Sequence, residues 1–299
     1  MLVSDANMTA SGPTPHYSLG STDAEHERLI WQASRLAPLT ERLFREAGIG
    51  PGQRVLDLGS GVGDVAMLVA RLVGPSGEVV GVERDTHSLA RAKARVAEAG
   101  LCNVSFTESD VNQIANDKPF DAAVGRFILE FLPDPLAALR SVSRLVRPGG
   151  VLAFHEPCYA PFLLLSAHLP LWSASVSLIH QTLLRSGANT EIGLDLHRIF
   201  LEAGLPGPVM HMEILLSSDP DFTRWTHELL CSLRPQIQQQ NLSLEPLGDF
   251  ATLPERLQAE VAASKTVVPF VALVGAWSHR QSRPSFPLTV SSHSGSCLR

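Results

Sequence analysis

The stretch that decides the fold is VLDLGSGVGDVAML, at residues 55–68. Its first residues are mostly apolar, as in a buried strand, and the glycines that follow predict a tight turn. The residues after the turn have the apolar spacing of a helix. A glycine-rich turn between a strand and a helix is typical of sites for nucleotide cofactors, because the first turn of the helix offers free N–H groups.

The alternation of strands and helices continues for about a hundred residues. Alternation of this kind predicts right-handed crossovers and a parallel sheet. Polar residues at the carboxyl ends of such strands are expected to meet at one rim, where ligands bind. Strands are predicted at residues 54–59, 78–84, 103–110, 120–126 and 151–157, and helices at 64–74, 86–99 and 135–146.

Composition divides the chain into four segments. The helix predicted at 23–47 contains Pro38, which is expected to split it. Two further strands are predicted at 209–216 and 266–277 among apolar helices. The four segments are an N-terminal helical segment at 1–47, a core at 48–157, pocket-building helices with the last strands at 158–279, and a Ser/Pro-rich tail at 280–299 that is expected to be disordered.

Charge and cysteine usage exclude several classes of protein. The chain has 24 basic and 30 acidic residues and no run of more than two Lys/Arg, so we expect no nucleic-acid partner. The four cysteines form no CxxC pair and have no histidine cluster at zinc spacing, which predicts reduced thiols, no metal and a cytoplasmic protein. The most apolar stretch, 160–179, contains Pro161, His168 and Pro170, so we expect no stable membrane insertion.

Two carboxylates indicate which cofactor the turn accepts. The dinucleotide fingerprint GxGxxG needs glycine at position 64, where this chain has Asp64. Asp57 lies two residues before the first glycine. Both carboxylates would repel a diphosphate and attract a cofactor that carries an ammonium and a sulfonium.

The segment VLDLGSGVGD resembles the first motif of the class I S-adenosylmethionine (SAM)-dependent methyltransferases. The later motifs follow in the family's order as VVGVER, FTESDV, FDAAVGRFILEFLPDP and LVRPGGVLAFHEP. The resemblance covers roughly residues 50–157. It implies an α/β fold, namely a Rossmann-like seven-stranded, mostly parallel sheet with helices on both faces and helical cap insertions, and it implies SAM as the cofactor.

The resemblance also assigns roles to residues. Glu83 would bind the ribose hydroxyls and Asp110 the adenine amino group, while Val111 would cover the adenine or pack as a structural residue. Arg126 would pair with the cofactor carboxylate or with Asp134. The cofactor-binding set predicted in this way is Asp57, Gly59, Ser60, Gly61, Gly63, Glu83, Arg84, Asp110, Val111, Gly125 and Arg126.

Two assignments leave alternatives open. Asp57 is expected to cap the turn through backbone N–H groups, to face the methionine ammonium, or both. In relatives an N-terminal segment closes over the cofactor, which would bring Tyr17, His26 and Gln32 to the site. The alternative is that this segment is a plain surface helix.

His155 and Glu156 end the fifth predicted strand, at the rim where an acceptor would lie. Methyl transfer often needs a base that takes the acceptor's proton, so one of these two residues is the predicted catalytic base. Neighbours on a strand face opposite sides, so only one of them can face the cleft squarely. The alternative is a structural role for both, and His168, His180 and His197 are weaker candidates.

The apolar segments after the fifth and sixth strands indicate the partner. Their residues, among them Phe162, Leu163, Leu164, Leu169, Leu171, Trp172 and Trp225, predict a greasy pocket for a small, largely apolar methyl acceptor; the alternative is a homodimer interface. Other functional hypotheses are a SAM-binding protein that guides a rearrangement without methylation, and a dinucleotide-dependent oxidoreductase. The stretch GRFI replaces the NPPY-type tetrapeptide of base-amino methyltransferases, which also disfavours a nucleic-acid substrate.

Overall fold

A computed structural model describes residues 19–114 and 117–281. The expectations for Tyr17, for the N-terminal residues before Leu19 and for the tail from residue 282 fall outside these ranges. The strands are β1 Arg54–Leu58, β2 Glu78–Glu83, β3 Val104–Glu108, β4 Phe120–Arg126, β5 Val146–Cys158, β6 Val209–Glu213, β7 Leu216–Ser217, β8 Val268–Pro269 and β9 Ala272–His279.

Seven strands form one sheet in the order β3-β2-β1-β4-β5-β9-β6. Strands β1 to β5 pair in parallel, and β9 runs antiparallel between β5 and β6. The predicted seven-stranded, mostly parallel sheet is therefore confirmed. The strand order changes direction between β1 and β4: β2 and β3 follow on one side of β1, and β4 and β5 lie on the other. In such sheets ligands bind at the carboxyl ends of the strands beside this point.

Helices cover both faces of the sheet. Alternate strand residues enter different apolar cores: Val55 packs with α1 and α2, whereas Leu56 and Leu58 pack in the core of α4 and α7. The helices are α1 Asp23–Glu46, α2 Asp64–Val73, α3 Thr86–Glu98, α4 Pro135–Leu145, α5 Tyr159–Leu165, α6 Pro170–Arg185, α7 Ile192–Glu202, α8 Pro220–Gln239 and α9 Leu253–Ala263.

Helix α1 is continuous through Pro38, so the prediction that proline splits it is wrong. Proline inside a helix costs about 3 kcal/mol through its missing N–H and its ring. Burial on both sides of Pro38 offsets that cost, since Leu36 packs into the cap and both Leu43 and Phe44 pack against the sheet. Tertiary packing therefore overrides the local preference.

The strand predicted at 266–277 is two strands. Val268–Pro269 pairs with Leu216–Ser217 in a separate ribbon, and Ala272–His279 enters the main sheet. Pro269 has no N–H to donate, which suits the end of a short edge ribbon and not the middle of a long strand. The strand predicted at 209–216 correspondingly ends at Glu213.

Helices α5, α6, α8 and α9 form a cap with its own apolar core. None of the helices within residues 19–114 and 117–281 combines the length and the apolar character needed to span a bilayer. Cys102, Cys158 and Cys231 are free thiols, as expected, and Cys297 lies outside the described ranges.

Candidate cofactor and acceptor site

A cavity of about 490 Å³ opens where the carboxyl ends of β1, β2 and β4 face α1 and the cap. One side carries the glycine turn and polar strand ends, and the other carries aromatic and aliphatic side chains of the cap. Acidic residues outnumber basic ones in its lining, five to three: Asp64, Glu83, Asp85, Asp110 and Glu130 against Arg28, Arg84 and Arg126.

The glycine turn after β1 lies against the cavity through Gly59, Ser60 and Gly61. Gly59 has φ +60°, and a Cβ there would lie 2.4 Å from Ile128 Cδ1, so only glycine fits. Gly63 begins α2 with φ +87° but does not line the cavity. A Cβ at Gly63 would touch α3 and Phe106, so this residue allows close packing instead.

Glu83 at the end of β2 lines the cavity and fixes two loops. Its Oε2 accepts a hydrogen bond from the Gly61 N–H at 3.0 Å. Its Oε1 accepts from the N–H groups of Arg84 and Asp85 at 2.8 and 2.9 Å. The predicted ribose ligand therefore lies beside the glycine turn, and its carboxylate is held in place by the backbone.

Asp110 and Val111 follow β3 and line the far end of the same cavity. Asp110 is exposed and accepts a hydrogen bond from the Asn112 N–H at 2.8 Å. Val111 is buried and packs in the core that includes Leu56 and Leu58. The structure thus places a hydrogen-bond acceptor, the Asp110 carboxylate, beside the apolar side chain of Val111, where the resemblance assigns the adenine.

Asp57 is buried behind the turn and does not itself line the cavity. Neither carboxylate oxygen has a hydrogen-bond partner at normal length among the described residues, so it does not cap the turn. Burial raises the pKa of Asp57 to about 8, although Arg126 and the Ala66 N–H oppose this shift. A buried carboxyl without a partner fits a cationic ligand nearby and would be repelled by a phosphate.

Arg126 lines the cavity, and its Nη1 donates to Thr40 Oγ1 at 3.1 Å. It makes no ion pair with Asp134 in the described ranges, and Asp134 instead caps α4 by accepting from the Ala137 N–H. Burial lowers the pKa of Arg126, against the pull of Asp64 and Asp57. The guanidinium is thus available to an anionic ligand group, whereas the neighbouring Gly125 is a packing residue outside the lining.

His155 is fully buried and does not line the cavity, which corrects its prediction as a catalytic base. Its Nδ1 lies 3.2 Å from Thr40 Oγ1. Burial, with the nearby charge of Arg126, lowers the pKa of His155 to about 3, so the ring is neutral at physiological pH. Strand β5 is central in the sheet, and the helices on both faces of the sheet cover its side chains.

Glu156 is also fully buried and does not line the cavity, which corrects its prediction as a catalytic base. Its carboxylate accepts from the backbone N–H groups of Ile128, Leu129 and Glu130 at 3.1, 3.1 and 3.4 Å. Burial raises the pKa of Glu156 to about 7, although these donors oppose the shift. Its role is to hold the short helix Leu129–Phe131 that follows β4.

Glu130 on this short helix is the functional candidate that sequence reasoning missed. It lines the cavity, although only 3% of the residue is exposed. Its Oε2 has no hydrogen-bond partner within the described ranges. Burial, with a smaller contribution from Glu156, raises the pKa of Glu130 well above its usual value. The signal in the sequence is one acidic residue within the apolar run FILEFL.

Helix α1 forms one wall of the cavity through Arg28, Leu29 and Gln32. Arg28 is buried and donates to Glu25 and to Gln32 Oε1 at 2.8 Å each. Trp225 Nε1 of the cap donates to the same Gln32 oxygen at 3.1 Å. This network fixes α1 against the cap, so the segment is not a plain surface helix, although Gln32 already has partners.

The cap side of the cavity is apolar. Of the predicted pocket residues, Trp225 lines the cavity, but Phe162, Leu169 and Trp172 fill the core of the cap instead. Exposure of 76% places Leu164 at the surface. The apolar lining on this side includes Phe127, Phe131, Tyr159, Leu183, Trp225, Leu229 and Val271.

Phe127, the first residue after β4, has φ +53°, a conformation that bulky residues rarely adopt. Its N–H donates to the His155 carbonyl at 3.2 Å, and its ring lines the cavity. Unusual backbone of this kind concentrates at ligand sites, where the surrounding structure holds it. The strained backbone of Phe127 therefore supports the interpretation of this cavity as a ligand site.

Comparison with known families agrees with this geometry. A family described as a methyltransferase domain matches residues 49–204. An arsenite methyltransferase of Aquipseudomonas alcaligenes is 40% identical over 35% of this chain and 33% of its own length. A ubiquinone/menaquinone biosynthesis C-methyltransferase of Coxiella burnetii is 36% identical over 37% of this chain and 46% of its own length. The chain thus spans less than half the length of these curated relatives.

A solved structure from Bacillus halodurans shares the fold. It superposes with a TM-score of 0.55 at 15% identity and covers 81% of this chain and 98% of its own. At that identity the likeness concerns the fold alone. The likeness therefore carries no information on the chemistry of the cavity lining.

Proposed function

Because the chain belongs to the class I SAM-dependent methyltransferases, we propose that it transfers the methyl group of SAM to a small, largely apolar molecule. The observation that carries this proposal is the single cavity with two unlike sides. Its polar side carries eight of the eleven residues that the family motifs assign to SAM, and its apolar side faces the same space. One cavity for both ligands excludes water and brings the reacting groups together.

The polar side would hold the cofactor. Gly59 and Gly61 allow close approach of the backbone, and Glu83 presents its carboxylate at the ribose position. Arg126 would pair with the carboxylate of the methionine moiety, and the ionised form of Asp57 would attract the positively charged groups of SAM. When bound, SAM supplies a methyl carbon made electrophilic by positively charged sulfur.

The apolar side would bind the acceptor. Tyr159, Leu183, Trp225 and Val271 present mostly carbon atoms to the cavity. Transfer of apolar surface from water contributes about 25 cal/mol per Å² of area buried, which favours an acceptor with rings or aliphatic chains. Gln32 Oε1 already accepts two hydrogen bonds, so the wall offers few free polar groups for a sugar or nucleotide.

Glu130 would take the proton that the acceptor loses. Glu130 lines the cavity and its Oε2 has no hydrogen-bond partner among the described residues, whereas His155 and Glu156 do not line this cavity. Burial raises the pKa of Glu130 and so favours its protonated form. A cation bound in the cavity would oppose this shift and favour the base form of Glu130.

The test uses SAM labelled with tritium in the methyl group and a small-molecule extract as the source of acceptor. We expect label to move into material that partitions into organic solvent, and we expect Glu130→Gln to lower the rate at least about a hundredfold, as for general bases. Glu245→Gln, an exposed carboxyl, is the matched control. Label recovered only in water-soluble products would contradict an apolar acceptor.

A second result separates the alternatives. If the protein binds SAM but transfers no label from SAM to any compound in the extract, the non-methylating rearrangement replaces methyl transfer as the better hypothesis. If Glu130→Gln transfers label at the rate of Glu245→Gln, Glu130 is not the base, although the methyl-transfer proposal stands.

A further inference from the structure

Three side chains from two distant parts of the chain meet beside the cavity. Asp23 and His26 lie in the first turn of α1, and His87 lies in the first turn of α3. One potential ligand atom from each lies within 4.8 Å of the others, and His87 Nε2 is 3.5 Å from Asp23 Oδ1. The cysteines play no part in this cluster, and His87 lies too far along the chain from Asp23 and His26 to form a recognisable metal motif with them.

The hydrogen bonds of His87 determine which ring nitrogen is free. Its Nδ1 contacts the Ser21 carbonyl, which can only accept, so Nδ1 carries the proton. In the neutral ring the lone pair is then on Nε2, the atom that faces Asp23. Metal-ligating histidines have this pattern, in which the second ring nitrogen donates to a carbonyl or carboxylate.

The same reasoning applies to His26. Its Nε2 lies 3.2 Å from Ser88 Oγ, and the Ser88 hydroxyl is hydrogen-bonded to the Asp85 carboxylate. The hydroxyl proton goes to the carboxylate, so Ser88 Oγ accepts from His26 Nε2–H and the lone pair is left on Nδ1. That Nδ1 is buried and has no partner in the part of the chain described, and the residue is 1% exposed.

From this arrangement we infer that Asp23, His26 and His87 bind a divalent first-row transition metal such as Zn²⁺. Two imidazole nitrogens and one carboxylate oxygen are a ligand set that such metals accept, with water in a fourth position. Tetrahedral ligands of Zn²⁺ lie about 3.3 Å apart, close to the separation of His87 and Asp23. The exposed Asp23 side chain, 95% accessible, is free to adjust.

The site would tie α1 to α3 at the edge of the cavity. Ser21, Ser88 and Asp85, which orient the two rings, all line that cavity. The two rings already lie 4.7 Å apart. Without a metal, the buried Nδ1 of His26 would remain an uncompensated polar atom.

The experiment measures Zn²⁺ binding to the metal-stripped full chain by competition with a chromogenic chelator, in the absence of SAM. We expect one site per chain, weakened at least about tenfold in His87→Ala and in Asp23→Ala, since even second-shell losses cost this much. His168→Ala, which removes one exposed histidine, should bind as the wild type does. Loss of the cobalt absorption spectrum in His87→Ala provides a second measurement that does not depend on affinity.

No Zn²⁺ binding by the wild-type chain, or equal binding by His87→Ala and His168→Ala, would overturn the inference. His87 and Asp23 would then be neighbouring side chains that share no metal. Because no SAM is present, either result is independent of whether the protein transfers methyl groups.

Discussion

Replacement of Asp57 by asparagine is expected to stabilise the free protein and to weaken cofactor binding. The carboxyl of Asp57 is buried and has no hydrogen-bond partner within the described ranges, so its charged form is costly. Asparagine has nearly the same shape and never ionises. The substitution therefore removes the cost of the charge and leaves the packing almost unchanged.

The magnitude follows from the pKa of Asp57, which burial raises from 3.8 to about 8. The unfolded chain releases this proton near pH 4 and the native protein releases it near pH 8. Unfolding is therefore favoured as pH rises through this window, by about 1.4 kcal/mol per pH unit. Between pH 5 and pH 7 the stability of the wild type should fall, relative to Asp57→Asn, by about 2.7 kcal/mol.

The assay is urea denaturation of the wild type and Asp57→Asn at several pH values between 5 and 8. The stability difference between the two should widen with pH by the amount above, and Asp117→Asn, an exposed carboxyl, should show no such change. Calorimetry above pH 8, where the Asp57 carboxyl is ionised, should show weaker SAM binding by Asp57→Asn, because a negative charge near the site is lost. Parallel pH profiles for wild type and Asp57→Asn would refute the reasoning.

Three other substitutions test the site. Gly59→Ala should abolish measurable binding of S-adenosylhomocysteine, because its Cβ would lie 2.4 Å from Ile128. Gly48→Ala, also at positive φ but in open space, should lower stability and leave binding unchanged. Equal effects of the two substitutions on binding would contradict a role of Gly59 in the cofactor site. Glu156→Ala should lower the free energy of unfolding in urea by about 3 kcal/mol or more, since three buried N–H groups lose their acceptor; a loss under about 1 kcal/mol would contradict this role. Arg126→Met should weaken S-adenosylhomocysteine in calorimetry at least about tenfold, and unchanged affinity would remove it from the site.

The sheet and the cofactor side were predictable from the sequence because their signals are local. The strand, glycine turn and helix of residues 55–68 are contiguous, and Glu83 lies at the end of the next strand. Each such unit specifies its own position in a parallel sheet through the right-handed crossover. The mostly parallel sheet, the bounds of most core strands and the glycine turn therefore agree with expectation.

The acceptor side was not predictable in the same way, because burial depends on distant partners. His155 and Glu156 end a strand with the right chemistry, but helix α1, more than a hundred residues earlier, places Thr40 against His155, and the backbone of residues 128–130 surrounds the Glu156 carboxylate. These contacts bury both side chains. Glu130 reaches the cavity only because Glu156 anchors the short helix that carries it. The cluster of Asp23, His26 and His87 likewise requires α1 and α3 to meet.

The most direct test of the central claim, that the cavity is a SAM site, is calorimetric titration with SAM, S-adenosylhomocysteine and NAD. We expect the first two to bind and NAD not to bind. Glu83→Ala should weaken binding at least about tenfold, the value of one charge-assisted hydrogen bond. Glu78→Ala, at the opposite end of β2, should have no effect. Binding of NAD alone, binding of none of the three, or unchanged SAM affinity in Glu83→Ala would contradict the account.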